Sequence, residues 1–164
     1  MKRRKSITAG ELMAQLNGDP EYLARIAEQD RQIAKFVAEV AEEEDRIARE
    51  AAKLGYEISS VWDFVNNAPH HFLPRPFVGS YERAYPMLVR HLRLPHHPRI
   101  REGIIRSLTV KDGGQLVSAA LYHEFITEKD SGLKWVLANA LRSAMPLKER
   151  KQHPEIAKVL KRAL

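Results

Sequence analysis

The chain has 164 residues, 44% of them hydrophobic and 29% charged, which suits one globular domain with a real core and excludes a disordered or collagen-like polymer. It contains no cysteine, so a disulfide framework, thiolate catalysis and cysteine-ligated zinc are ruled out. The net charge of +6 is unevenly laid out: residues 1–19 carry four Lys/Arg against two acids, 20–58 carry six against ten, and 59–164 carry seventeen against nine.

The opening "MKRRKSITAG" is basic but no apolar run follows it, so it does not read as a secretory signal. No window approaches the ~18 consecutive apolar residues of a membrane span. The expectation is a cytoplasmic protein without membrane attachment, whose residues 1–19 form a basic flexible tail. The turn cluster Asn17, Gly18, Asp19, Pro20 then sets a helix start, with Asp19 as N-cap and Pro20 at the first helical position. Gly55 suits the left-handed residue that closes a helix, so the spacing predicts one long charged helix over 20–55.

Along that helix Ile26, Ile33, Val40, Ile47 and Leu54 recur at sevens, and Ala27, Ala34, Ala41 and Ala48 follow four of them. A seven-residue period draws a continuous stripe along a helix, and alanine beside it lets another helix approach closely. The second heptad column, Leu23, Asp30, Val37, Glu44 and Ala51, is broken by two acids, which argues against a simple parallel two-stranded coiled coil. Packing in cis on the rest of the chain and a homodimer through 20–55 both remain open at this point.

"YEISSVWDFVNNAP" predicts a short helix capped by Ser59 or Ser60. "HHFLPRPFVGS", with Pro74, Pro76 and Gly79, predicts a surface-crossing loop pinned by Phe72, Leu73, Phe77 and Val78. Helices then follow over about 80–93, 99–109, 115–126, 133–145 and the C-terminal "HPEIAKVLKRAL", separated by Pro95, Pro98, "KDGG", "EKDSG" and Pro146. No stretch alternates as a strand does, so the fold class is all-α.

Three of these segments align: "RIREGIIRSL" from Arg99, "GLKWVLANAL" from Gly132 and "EIAKVLKRAL" from Glu155. Ile100, Leu133 and Ile156 share one column, Ile104, Leu137 and Leu160 a second, and Leu108, Leu141 and Leu164 a third. A small residue precedes the last column each time, as Ser107, Ala140 and Ala163. The first two copies lie 33 residues apart, each behind its own amphipathic helix, which is a helical-repeat period. The pattern resembles the HEAT repeat family, in which a proline-containing turn leads into a second helix bearing a V-R-x-x-A-x-x-A-L-like run. Pro98-Arg99-Ile100-Arg101 and Ser107-Leu108 fit that run, as do Leu133-Lys134 with Ala140-Leu141, and Pro154 with Ile156. Bulky Ile104, Leu137 and Leu160 depart from it, and the turn lacks the usual aspartate. The resemblance covers residues 80–164 and implies a short α-solenoid of helical hairpins. In it the 56–164 region is the repeat domain, capped at its N-terminal end by the long helix and the Trp62 helix. The whole is similar to bacterial proteins that join a charged N-terminal helix to such repeats.

Five of the seven histidines, His70, His71, His91, His96 and His97, fall within 28 residues, but no H-E-x-x-H or i, i+4 pair exists, so they read as turn and loop residues and no metal is expected. Asp63, His123 and Glu124 form no recognisable catalytic motif, and neither a catalytic residue nor a cofactor is assigned. In a HEAT-like stack the second helices line a concave face. The positions opposite their apolar columns, Arg101, Glu102, Ile105, Arg106, Trp135, Asn139 and Arg142, are the candidate partner-binding residues. The implied function is a non-enzymatic protein-binding adaptor, in a narrower form a bacterial immunity-type inhibitor. The alternative is a nucleic-acid-binding stack, with Arg99, Arg101, Arg106, Arg142, Lys148, Arg150, Lys151, Lys158, Lys161 and Arg162 as a basic ridge.

Overall fold

The structure, a computed structural model, describes residues 7–67 and 79–161. His70, His71, Phe72, Leu73, Phe77, Val78, Arg162, Ala163 and Leu164 lie outside the described residues. All regular elements among the described residues are helical. The chain divides into two compact units, Met1–Ala41 and Glu42–Leu164.

The first unit corrects one expectation. Part of the stretch read as a flexible tail is a helix, α1, over Ala9–Asn17. Its cause is a capping box: Thr8 Oγ1 accepts the Glu11 N–H at 3.3 Å, and Glu11 Oε2 accepts the Thr8 N–H at 2.8 Å. The next helix, α2, runs over Pro20–Lys53, started by Asp19 Oδ1, which accepts the N–H groups of Glu21 and Tyr22. Gly55 follows its end at φ +88°, a conformation that strains any residue with a β-carbon. Within the first unit α2 leaves Leu23, Ile33 and Val37 exposed.

In the second unit the same stripe turns inward. Ile47 and Ala51 are fully buried, each such aliphatic burial being worth up to about 3 kcal/mol for a side chain the size of isoleucine. The acid that breaks the heptad column here also has a task. Glu44 accepts the Ser60 hydroxyl at 2.8 Å through Oε1 and the Val61 N–H at 2.9 Å through Oε2, fixing the chain as it enters α3, Trp62–Val65. Ser60 Oγ in turn accepts the Trp62 N–H at 3.2 Å.

A 3₁₀ turn over Glu82–Ala84 leads into α4, Tyr85–Leu92, with Pro86 tolerated in its first turn, where no intrahelical N–H is required. Then come α5 (Pro98–Ser107), α6 (Gly114–Thr127), α7 (Ser131–Ala144), the single turn α8 (Leu147–Arg150) and α9 (Pro154–Lys161). α4 packs on α5 and on α6, α6 on α7, α5 on α7, α7 on α9, and α3 on α5. Most of the aligned column positions lie in the core: Ile100, Ile104, Leu108, Leu137, Leu141 and Ile156 are fully buried, Leu133 and Leu160 are half-buried, and Ser107 and Ala140 are buried where helices meet. The start of α3 and the residue before it approach α5 closely. A β-carbon on Gly103 would stand 2.6 Å from Val61 Cγ1 and 2.9 Å from Trp62 Nε1, so only glycine fits.

Candidate interaction groove

Between α5 and α7 lies an open groove of about 550 Å³. Its α5 wall is started by His97, whose Nδ1 accepts the Arg99 N–H at 3.2 Å, with Pro98 at the first helical position. Its α7 wall is started by Asp130, whose Oδ1 accepts the Leu133 N–H at 2.8 Å. Helical spacing then sets Arg99, Glu102 and Arg106 on one side of the groove and Trp135 on the other.

The charges here are organised rather than scattered. Glu102 holds Arg106 at 2.7 Å, four residues on, and Arg99 at 3.7 Å, three residues back. The Arg99 guanidinium also lies 3.7 Å over the Trp62 ring, a cation–π contact that steadies it. Trp135 is 37% exposed although it is the largest residue type in the chain, and its carbonyl accepts the Asn139 amide at 3.1 Å. An exposed indole face beside two guanidiniums linked through Glu102 offers a flat apolar contact area with polar groups of both signs at its edge.

The structure brings Glu102, Arg106 and Trp135 together and places Asn139 one turn along from Trp135. Arg142 is exposed further along the same helix and lines a different groove, formed by α7, α8 and α9. The other two candidates have internal roles. Ile105 is fully buried in the core. Arg101, expected among the partner-binding residues, is an internal tie: its guanidinium reaches Glu124 at 2.8 Å and Glu128 at 3.4 Å and donates to the Leu92 carbonyl at 3.0 Å, with only 19% of the side chain exposed.

A second constellation was not legible in the sequence. His91 and His96 have fully buried side chains, and their Nδ1 and Nε2 atoms approach to 3.1 Å. His91 Nε2 lies 3.1 Å from Glu50, and His96 Nδ1 lies 2.6 Å from Glu43, whose carboxylate also accepts the His97 N–H. Arg90 pairs with Glu50 as well. Burial pushes the His91 imidazole below its ordinary value, outweighing the pull of Glu50. For Glu50, burial is the largest single influence and acts upward. The His91 hydrogen bond, with the charges of His91 and Arg90, overcomes it and leaves the carboxyl below the usual range. The available signal was Glu43 and Glu50 spaced seven apart on one helical face, with buried histidines opposite. The chemistry is that of a polar clasp holding the end of α2 to α4 and to the turn before α5.

Among the described residues no group of three or more His, Asp or Glu side chains is placed to hold a metal ion, and no helix is long and apolar enough to cross a membrane. Comparison with known proteins finds no matching family model, no matching curated protein and no matching solved structure.

Proposed function

We propose that the chain is a protein-binding adaptor built on HEAT-like hairpins, acting without catalysis, with the α5–α7 groove as its partner site. The observation that carries this reading is Trp135, left 37% exposed next to the Arg99–Glu102–Arg106 cluster in an open groove. Aromatic and arginine side chains concentrate binding energy because each covers large area with few rotors to fix. The packing of α4 on α6 and of α5 on α7 supports a solenoid-like stacking of two hairpins, with α8 and α9 as a shortened third. A narrower form of the same reading is an immunity-type protein that occludes an enzyme or toxin.

The rival reading, a nucleic-acid-binding ridge, is weakened by pairing. Arg99 and Arg106 share Glu102, and Arg101 faces Glu124 and Glu128, so three cations of that ridge already have carboxylate partners. Phosphate binding draws on cations free to displace counterions. The deciding experiment is affinity capture from source lysate with and without nuclease, using the native chain and Trp135→Ala. A protein retained after nuclease treatment and lost with Trp135→Ala is the expected result. Capture that disappears with nuclease, or that Trp135→Ala leaves unchanged, overturns the reading. If the captured protein is an enzyme, stoichiometric inhibition by the pure chain separates the immunity-type form from a scaffold.

A further inference from the structure

Two surfaces outside the α5–α7 groove complement each other. One is the open groove of about 360 Å³ formed by α7, α8 and α9. Leu147, Ala157 and Leu160 give it an apolar floor, and Arg142, Arg150 and Lys151 stand around it with no acidic residue in its lining. Arg150 donates to the Arg142 carbonyl at the end of α7, which holds its guanidinium at the rim. Leu147 is 59% exposed, far more than a core leucine. A cationic rim over an apolar floor calls for an amphipathic occupant that carries a carboxylate.

The other surface is on α2. Ile33 and Val37 are 52% and 54% exposed, Ala34 is exposed beside them, and Asp30 continues the stripe one turn earlier. The neighbouring cations are already matched, Arg31 with Glu28 at 2.7 Å and Lys35 with Glu39 at 3.9 Å. The stripe from Asp30 to Val37 therefore reads as apolar with one carboxylate. At about 1.5 Å per residue it matches the length of α9, eight residues or about 12 Å.

We propose that the α2 stripe of one molecule docks in the α7–α9 groove of a second copy. Asp30 is the reason for choosing this over a symmetric α2–α2 seam. It lies at the middle of the column Leu23, Asp30, Val37, so an in-register parallel pair and a centred antiparallel pair both set the two Asp30 carboxylates against each other. Like charges placed so in a seam are destabilising. The groove instead offers Asp30 three cations, and Ala34 on one side with Ala157 on the other allow two helices to approach closely. The contact is heterologous: each molecule carries both halves, and two molecules close reciprocally or more extend into a chain.

This inference does not rest on the α5–α7 groove, and Trp135→Ala is expected to leave it unchanged. The test is sedimentation of the full-length chain over a wide concentration range, with thermal melts to show that each variant is folded. The native chain is expected to self-associate. Asp30→Lys, Val37→Glu and the pair Arg142→Glu with Lys151→Glu all change exposed positions and are expected to sediment as monomers. Mixing Asp30→Lys with the Arg142→Glu, Lys151→Glu chain is expected to restore association by reversing both charges. A native chain that stays monomeric overturns the proposal. So does association that the neutral Asp30→Ala strengthens, the behaviour of a symmetric seam relieved of its like-charge repulsion, or association that the groove variants leave intact.

Discussion

Replacing Arg101 with methionine separates its internal role from a partner-binding one. The substitution keeps the bulk of the aliphatic stem and removes the guanidinium, which holds Glu124, Glu128 and the Leu92 carbonyl. The Glu124 and Glu128 side chains are only 12% and 13% exposed, so both carboxylates are left largely desolvated without that cation. Breaking a buried pair from one side costs about 3–5 kcal/mol, because the surviving charge is uncompensated. For a domain of this size each kcal/mol moves Tm by about 2–4 °C, so the expected fall is about 6–20 °C. The partial exposure of the site favours the lower part of that span. Differential scanning calorimetry measures it, and adding Glu124→Gln to Arg101→Met is expected to recover part of the loss by removing one orphaned charge. A change within the roughly 0.5 kcal/mol of an ordinary surface substitution, combined with lost partner capture, would refute the argument and return Arg101 to the binding face.

Two further outcomes follow from the packing and from the clasp. Gly103→Ala, which in an exposed helix gains about 1 kcal/mol of propensity, is expected instead to destabilise by about 1–3 kcal/mol, since its β-carbon meets Val61 and Trp62; chemical denaturation reads the sign directly. Acidification is expected to lower stability in two stages. His91 has a folded value below its ordinary 6.5, so the unfolded chain binds the proton first and stability falls as pH drops below about 6.5. Glu50, held below 4.5, adds a second loss below that pH. Melts across pH 7 to 4 check this, and His91→Gln is expected to flatten the first stage; a Tm that rises between pH 6.5 and 5 contradicts it.

What was legible in the sequence was mostly local. Asp19-Pro20 and Gly55 bound α2 because a cap and a left-handed glycine act within a few residues, and of the aligned columns Ile100, Ile104, Leu108, Leu137, Leu141 and Ile156 are buried as helical spacing requires, while Leu133 and Leu160 are half-buried. The α1 helix was missed because a basic, loop-like composition masked the Thr8–Glu11 capping box. Glu102, Arg106 and Trp135, named from the sequence as candidates, line one groove because helical spacing puts the first two on one side of α5 and the third on the side of α7 that faces it. Arg101 was not, because its partners lie 23 and 27 residues away on α6 and the turn after it. Ile105 was misplaced because the buried face of α5, with α3 and α7 both packed against it, is wider than the aligned columns. The clasp of Glu43, Glu50, His91 and His96 spans 41 to 53 residues of sequence, a separation that only folding closes.

The division of α2 bears on how the chain tolerates change. Its last third is welded to the fold by Ile47 and Ala51 beneath and by Glu43, Glu44 and Glu50 at the sides. Its first two thirds hold Leu23, Ile33 and Val37 out to solvent. One uninterrupted helix therefore spans two kinds of residue: some replaceable at little cost to folding, others whose loss opens the core. Substitution along it is expected to alter whom the molecule associates with at one end and whether it folds at the other, so association is free to be retuned without renegotiating stability.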